Sequence, residues 1–312
     1  MTTRLARRGL HPGDLGLGTA QLGDLFHRLT DAEATAIVDT AWEAGIRYFD
    51  TAPHYGLGLA EARLGTALRQ RERDDYVLST KVGRLIVDDG AGERTRVFDF
   101  SASGVARSLD ASRERLGVDR IDIALIHDPE GHAEQAVSAA YPALAALRDR
   151  GEIGAVGVGT KDVATLLRVV ERTDVDAVMV AGRLTLLDHS AADELVPLCA
   201  ERGVAILNAG VFNSGILAGD APASTSHFDY GEPSSRVLAA ARRAAAAARD
   251  QGAGLPVAAL QYARSFPGVA SVVVGADSAA QLATTAGWMR AAMGERLDLR
   301  AVLDAVGADA MM

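Results

Sequence analysis

Eight short apolar runs recur along the chain, and each is followed by a segment with helical spacing. The runs are LGLG (15–18), IRYF (46–49), YVLST (76–80), IDIALI (121–126), IGAVGV (153–158), VDAVMV (175–180), VAILNA (204–209) and VASVVV (269–274). They are mostly continuous rather than alternating, as expected of strands covered on both faces by helices, the environment of a parallel sheet. The intervening segments carry helix punctuation. DAEATAIVDTAWEAG (31–45) starts beside Thr30 or Asp31 as N-cap, with Glu33 in the first turn, and stops at Gly45. SASGVARSLDASRERLG (101–117) places Val105, Leu109 and Leu116 on one face and stops at Gly117. The other helical segments are 59–70, 136–151, 162–173, 190–203, 234–252 and 278–294. Eight strand–helix repeats predict an α/β fold, the (β/α)8 TIM barrel.

That fold takes about 250 residues. The 312 present leave room for a short N-terminal extension, longer loops and a C-terminal helix near LDLRAVLDAVG (297–307). A doubly wound open sheet is the rival. The alternation runs on without a composition shift or linker, which favours one barrel domain over residues 1–312. Two connections, 82–100 and 210–233, are read as long loops, and loops of that length in a compact domain are usually lids or binding loops.

Composition limits the partners. With 41 acidic and 32 basic residues the net charge is −9, which argues against nucleic acid and anionic membranes, whose binders present basic faces. A hydrophobic fraction of 48% and a mean hydropathy of +0.08 suit a globular chain with a large core. Every apolar run is interrupted well before the roughly 20 residues of a membrane span. The basic start lacks an apolar stretch behind it, so no secretory signal is read there. Cys199 is the sole cysteine; it cannot form an internal disulfide and fits a reducing cytoplasm. The expected assembly is a monomer or small homo-oligomer. Lys81 and Lys161 are the only two lysines in an arginine-rich chain.

In a barrel the chemistry lies at the C-terminal ends of the strands. Asp50 follows IRYF, Lys81 follows VLST, His127 follows IALI and Lys161 follows VGVGT, so both lysines reach one rim. Tyr55, in DTAPHYG, is near enough to fold back over it. An unperturbed phenol, with a pKa of about 10, exchanges protons poorly near neutrality. An ammonium beside it lowers that pKa, and a carboxylate beyond keeps the ammonium charged and in place. Such a tyrosine can give a proton to a carbonyl oxygen or take one from a hydroxyl, while a histidine hydrogen-bonds the same oxygen. This apparatus moves a proton at oxygen while a hydride moves at carbon, and the hydride requires a cofactor. Each residue alone also has an ordinary reading as a cap, a core group or a solvated side chain; the joint pattern is the specific signal.

The stretches YFDTAPHYGLGLAEARLGTAL (48–68), STKVG (79–83) and LIHDPE (125–130), in that order, resemble the aldo-keto reductases over nearly the whole chain. The resemblance implies a nicotinamide cofactor extended across the barrel top, Tyr55 as general acid/base, Lys81 and Asp50 tuning it, and His127 orienting the substrate oxygen. VAGRLTLLD (180–188), ELVPLCAERGVAIL (194–207) and GVFNSGILAG (210–219) are similar to the branch that oxidises aldoses at C1 to lactones, with L-fucose, D-arabinose or L-galactose as the substrate type. Alternatives are an aldehyde or ketone reductase of the same family and a cofactor-binding regulatory subunit.

By the same resemblance the cofactor contacts fall on Gly18, Thr19, Ala20, Asp50, Thr160, Arg183, Val211, Phe212, Asn213, Ser214, Gly215, Leu217, Gly275, Asp277, Ser278 and Gln281, and the substrate contacts on His54, Tyr55 and His127. Gly159–Thr160 stands where relatives carry Ser-Asn, and Ala209 where many carry a stacking tyrosine, so Thr160, Lys161 and Arg183 are candidates for the missing contacts. Relatives that prefer NADP often have a cation where this chain has Asp277. A carboxylate repels a 2′-phosphate and accepts hydrogen bonds from a ribose hydroxyl, so NAD is the expected cofactor with NADP possible. Asp277 as a plain helix N-cap is the other reading. HDPEGH (127–132) lacks the spacing of a tetrahedral zinc site, and no metal is expected.

Overall fold

The computed structural model describes residues 2–294 and 296–307. Eight parallel strands close into a barrel: β1 Leu15–Gly18, β2 Tyr48–Asp50, β3 Val77–Val82, β4 Ile121–His127, β5 Ile153–Thr160, β6 Ala177–Ala181, β7 Ala205–Ala209 and β8 Val269–Val274. Each pairs with its sequence neighbour, and β8 returns to β1 with Leu15 opposite Val272 and Leu17 opposite Val274.

Strand periodicity sorts the side chains. Tyr48, Ile123, Leu125, Ala155, Ala177, Met179, Ala205, Leu207 and Val273 fill the barrel interior, and Leu5 of the N-terminal helix Arg4–Arg7 joins them. Phe49, Leu78, Ala124, Ile126, Val156 and Val178 face outward into the larger core beneath the helices. The same parity continues upward. Asp50, Lys81, His127, Gly159, Ala181 and Ala209 are the last interior-parity residues of β2 to β7, and all line one cleft.

The helix over residues 31–43 is fixed by a capping box, in which the Thr30 hydroxyl accepts from Glu33 N–H and the Glu33 carboxylate accepts from Thr30 N–H. Two expectations are corrected. The segment 82–100 is not a plain loop: Arg84–Asp88 and Arg94–Phe98 pair antiparallel as a hairpin. The helix Ser235–Asp250 is not the barrel helix between β7 and β8. That place belongs to Leu255–Arg264, which packs on β8 and on Ala279–Gly294, whereas Ser235–Asp250 packs on the C-terminal helix Leu299–Val306. These outer helices enclose a second core with Leu186, Leu187, Ile216 and Leu217. Among the described residues, no helix is long and apolar enough to cross a membrane.

Candidate active site

The cleft at the C-terminal ends of the strands has a volume of about 640 Å³. On one side of its floor, Lys81 Nζ donates to Asp50 Oδ2 at 2.6 Å, to Thr51 O at 2.9 Å and to Tyr55 Oη at 3.1 Å. Ser79 Oγ donates to the other Asp50 oxygen at 2.6 Å, and the Tyr48 hydroxyl lies 3.0 Å from Ser79 Oγ. Asp50 and Lys81 are almost wholly buried. Burial works against the ammonium, but Asp50 and Tyr55 outweigh it and hold Lys81 above its usual range.

The Tyr55 ring stands perpendicular to that of His127, with centroids 5.9 Å apart. The expected lowering of the Tyr55 pKa is corrected for the free protein: burial raises it, and the opposing pull of Lys81 does not cancel that rise. Burial, then the positive field of Lys81 and Arg84, pushes His127 well below the ordinary imidazole range. His54 is pushed down to about 4 by burial and by Arg84, Arg96 and Lys81. Both rings are therefore neutral near pH 7. His127 Nδ1, His54 Nδ1 and Arg84 Nε are buried without a hydrogen-bond partner.

The other side of the floor is made of Gly159, Ala181 and Ala209, which leave open space for a flat ring. Beyond them, Asn213, Ser214 and Gly215 form a left-handed turn with φ of +46°, +61° and +113°, in which the N–H groups of Asn213 and Gly215 donate to Gly210 O and Phe212 O. Asn213 Oδ1 is buried and unpartnered there. The N-terminus of the helix 279–294 completes this end. Ser278 Oγ accepts from Gln281 N–H, and Gln281 Oε1 accepts from Asp277 N–H at 2.6 Å. Ser278 is thus the cap, which removes the cap reading of Asp277; Asp277 lines the cleft. Floor space bounded by small residues, a left-handed turn and a helix N-terminus fit a dinucleotide.

Of the expected cofactor and substrate residues, Gly18, Thr19, Ala20, Asp50, His54, Tyr55, His127, Thr160, Arg183, Val211, Phe212, Asn213, Ser214, Gly215, Gly275, Asp277 and Gln281 line the cleft, as do Lys81 and Lys161. Two do not. Leu217 is fully buried in the second core, and Ser278 is occupied by capping. Thr160 donates its hydroxyl to Glu130. Arg183 and Lys161 both reach Asp229, at 3.1 and 3.3 Å.

Sequence reasoning missed Asp229 and Tyr230, which cross the cleft in left-handed conformation with φ of +47° and +68°. It also missed Gln21, Arg84, Asp128 and Glu130 on the cleft wall. Only Asp128 and Glu130 had a signal, their place in the motif that carries His127. Among the described residues, no three His, Cys, Asp or Glu side chains are grouped to hold a metal ion.

Residues 14–293 match the Aldo/keto reductase family. The chain is 42% identical to the D-threo-aldose 1-dehydrogenase of Pseudomonas sp over 297 residues, 90% of each chain. It is 36% identical to the pyridoxal 4-dehydrogenase of Microbacterium luteolum, over 91% of each. The holo form of an aldo-keto reductase from Bacillus halodurans superposes with a TM-score of 0.79 at 26% identity, covering 97% of this chain and 95% of that one. The barrel and the match across most of its length give one conclusion: this chain belongs to the aldo/keto reductase family and is a nicotinamide-dependent oxidoreductase.

Proposed function

We propose that the protein oxidises the cyclic form of an aldose at C1 to the lactone, with NAD as the preferred hydride acceptor. The observation that carries this reading is the Tyr55 hydroxyl held 3.1 Å from Lys81 Nζ, beside a neutral His127 in a cleft lined by the polar side chains of His54, Arg84, Asp128 and Tyr230. A polyhydroxylated ring offers those side chains several hydrogen bonds; an alkyl aldehyde offers only its carbonyl oxygen. The 42% identity to a D-threo-aldose 1-dehydrogenase supports the same substrate class.

A bound nicotinamide dinucleotide supplies the acceptor for the hydride that leaves C1. Tyr55 takes the proton of the anomeric hydroxyl as the exocyclic C–O bond becomes a carbonyl. Lys81 stabilises the phenolate form of Tyr55, and Asp50 holds Lys81 in place. His127 hydrogen-bonds the anomeric oxygen and orients it. The turn at Ser214 and the N-terminus of the helix 279–294 would hold the pyrophosphate, and Asp277 the ribose hydroxyls. The test is NADH and NADPH formation across a panel of aldoses. NADH formation with at least one sugar is expected, and Tyr55→Phe should lower kcat by about 10²- to 10⁴-fold while leaving cofactor affinity intact. Full activity in Tyr55→Phe would sink the reading.

A further inference from the structure

We propose that Asp128 reads a ring hydroxyl of the sugar, with Arg84 as the residue that positions it; this rests on the aldose reading above. Asp128 follows His127 directly and lines the cleft. Its φ is +40°, a strained conformation for a residue with a side chain. Its N–H donates to Gly159 O at 2.9 Å, so the strained turn is tied to the neighbouring strand. Arg84, the first residue of the hairpin, donates to Asp128 Oδ2 at 2.6 Å, and its guanidinium lies over the Phe98 ring.

One carboxylate oxygen is thereby committed to Arg84 and lies 3.5 Å from His127 Nε2. No described residue bonds the other oxygen, Oδ1. A half-buried carboxylate with a fixed orientation and a free acceptor suits a hydroxyl donor, and charge-assisted bonds of this kind are among the stronger ones. The rings of His54 and His127 line the same side of the cleft with centroids 5.8 Å apart, so a sugar held there lies against them and the carboxylate together. The hairpin acquires a purpose on this account: it delivers Arg84 over the substrate end of the floor.

The rival role is purely local, Asp128 holding the His127 ring. The two are separated by pairing enzyme and substrate changes in one cycle. Wild type, Asp128→Gly and Asp128→Asn are assayed for kcat/KM on L-fucose and on its 2-, 3- and 4-deoxy analogues. Glycine is the right truncation because it accepts positive φ without strain, and Asn keeps the shape while removing the charge. For one hydroxyl, deoxygenation should cost the wild type about 10- to 100-fold, mainly through KM, and cost Asp128→Gly no more than about 2-fold. Equal losses in wild type and both variants for every analogue would overturn the proposal and leave the aldose reading standing. Absence of wild-type turnover on any aldose would overturn the aldose reading itself.

Discussion

Tyr55 and its two neighbours set the pH response. Because burial holds the phenol above its usual range in the free protein, the ionised form that accepts a proton grows as pH rises. Sugar oxidation should therefore accelerate steadily through neutral and mildly alkaline pH. His54 and His127 are already neutral, so no bend is expected near the ordinary imidazole pKa of about 6.5. A difference ultraviolet titration of wild type minus Tyr55→Phe should give a midpoint above that of a free phenol, about 10. Lys81→Met, which removes the opposing cation, should move it higher still. At the far end of the cleft, Asp277→Arg should strengthen NADP binding at least tenfold relative to NAD; unchanged relative affinities would contradict the ribose role.

The reacting set was legible in the sequence because Asp50, Lys81 and His127 stand at strand ends of the right parity and Tyr55 follows Asp50 in the same recognisable motif. Asp229 and Tyr230 were not legible: they reach the cleft only through the path of a long connection, and nothing in their own neighbours announces it. The direction of the Tyr55 shift was missed for a related reason, since burial is a property of the fold and not of the motif.

At the scale of elements, the position of Tyr55 depends on backbone contact. The loop after β1 and the loop after β2 touch at two glycines: a Cβ on Gly23 would lie 2.5 Å from the Tyr55 carbonyl carbon, and one on Gly56 would lie 2.6 Å from Gly23 O. Gly23→Ala is expected to displace the tyrosine and reduce kcat about 10²-fold or more, with little change in circular dichroism. The same scale explains what the sequence obscured. In Leu255–Arg264, residues 255–263 are all buried, so the segment has no polar face and no period to read. Ser235–Asp250 has a clear apolar stripe and was mistaken for the ring helix. The hairpin 84–98 was hidden because its strands lie outside the barrel repeat; its signal was the turn DDGAG between two strand-like runs.

For the whole molecule, the second core links the helix Leu299–Val306 to the segment that follows Asn213 to Gly215 at the cleft. Val302 and Val306 are buried against the helix Ser235–Asp250, in the same cluster as Ile216 and Leu217, which follow directly on Asn213 to Gly215. The double variant Val302→Ala/Val306→Ala should lose about 2–3 kcal/mol of stability and several degrees of Tm. NAD affinity should weaken with it while kcat on saturating substrates stays near wild type, as Tyr55 packs against the larger core beneath the barrel helices and Lys81 is held by Asp50. A differential scanning fluorimetry series with and without NAD checks both parts.

The pairing of β1 with β8 also has a kinetic meaning. The ring cannot shut until residues near 272 meet those near 15, a very long loop closure that comes late in synthesis at the ribosome. Gly18 and Gly275 flank that seam, and both line the cleft. On the proposed cofactor placement, a dinucleotide spanning Gly18 and Gly275 would act as a stitch across the join that closes the longest loop of the ring.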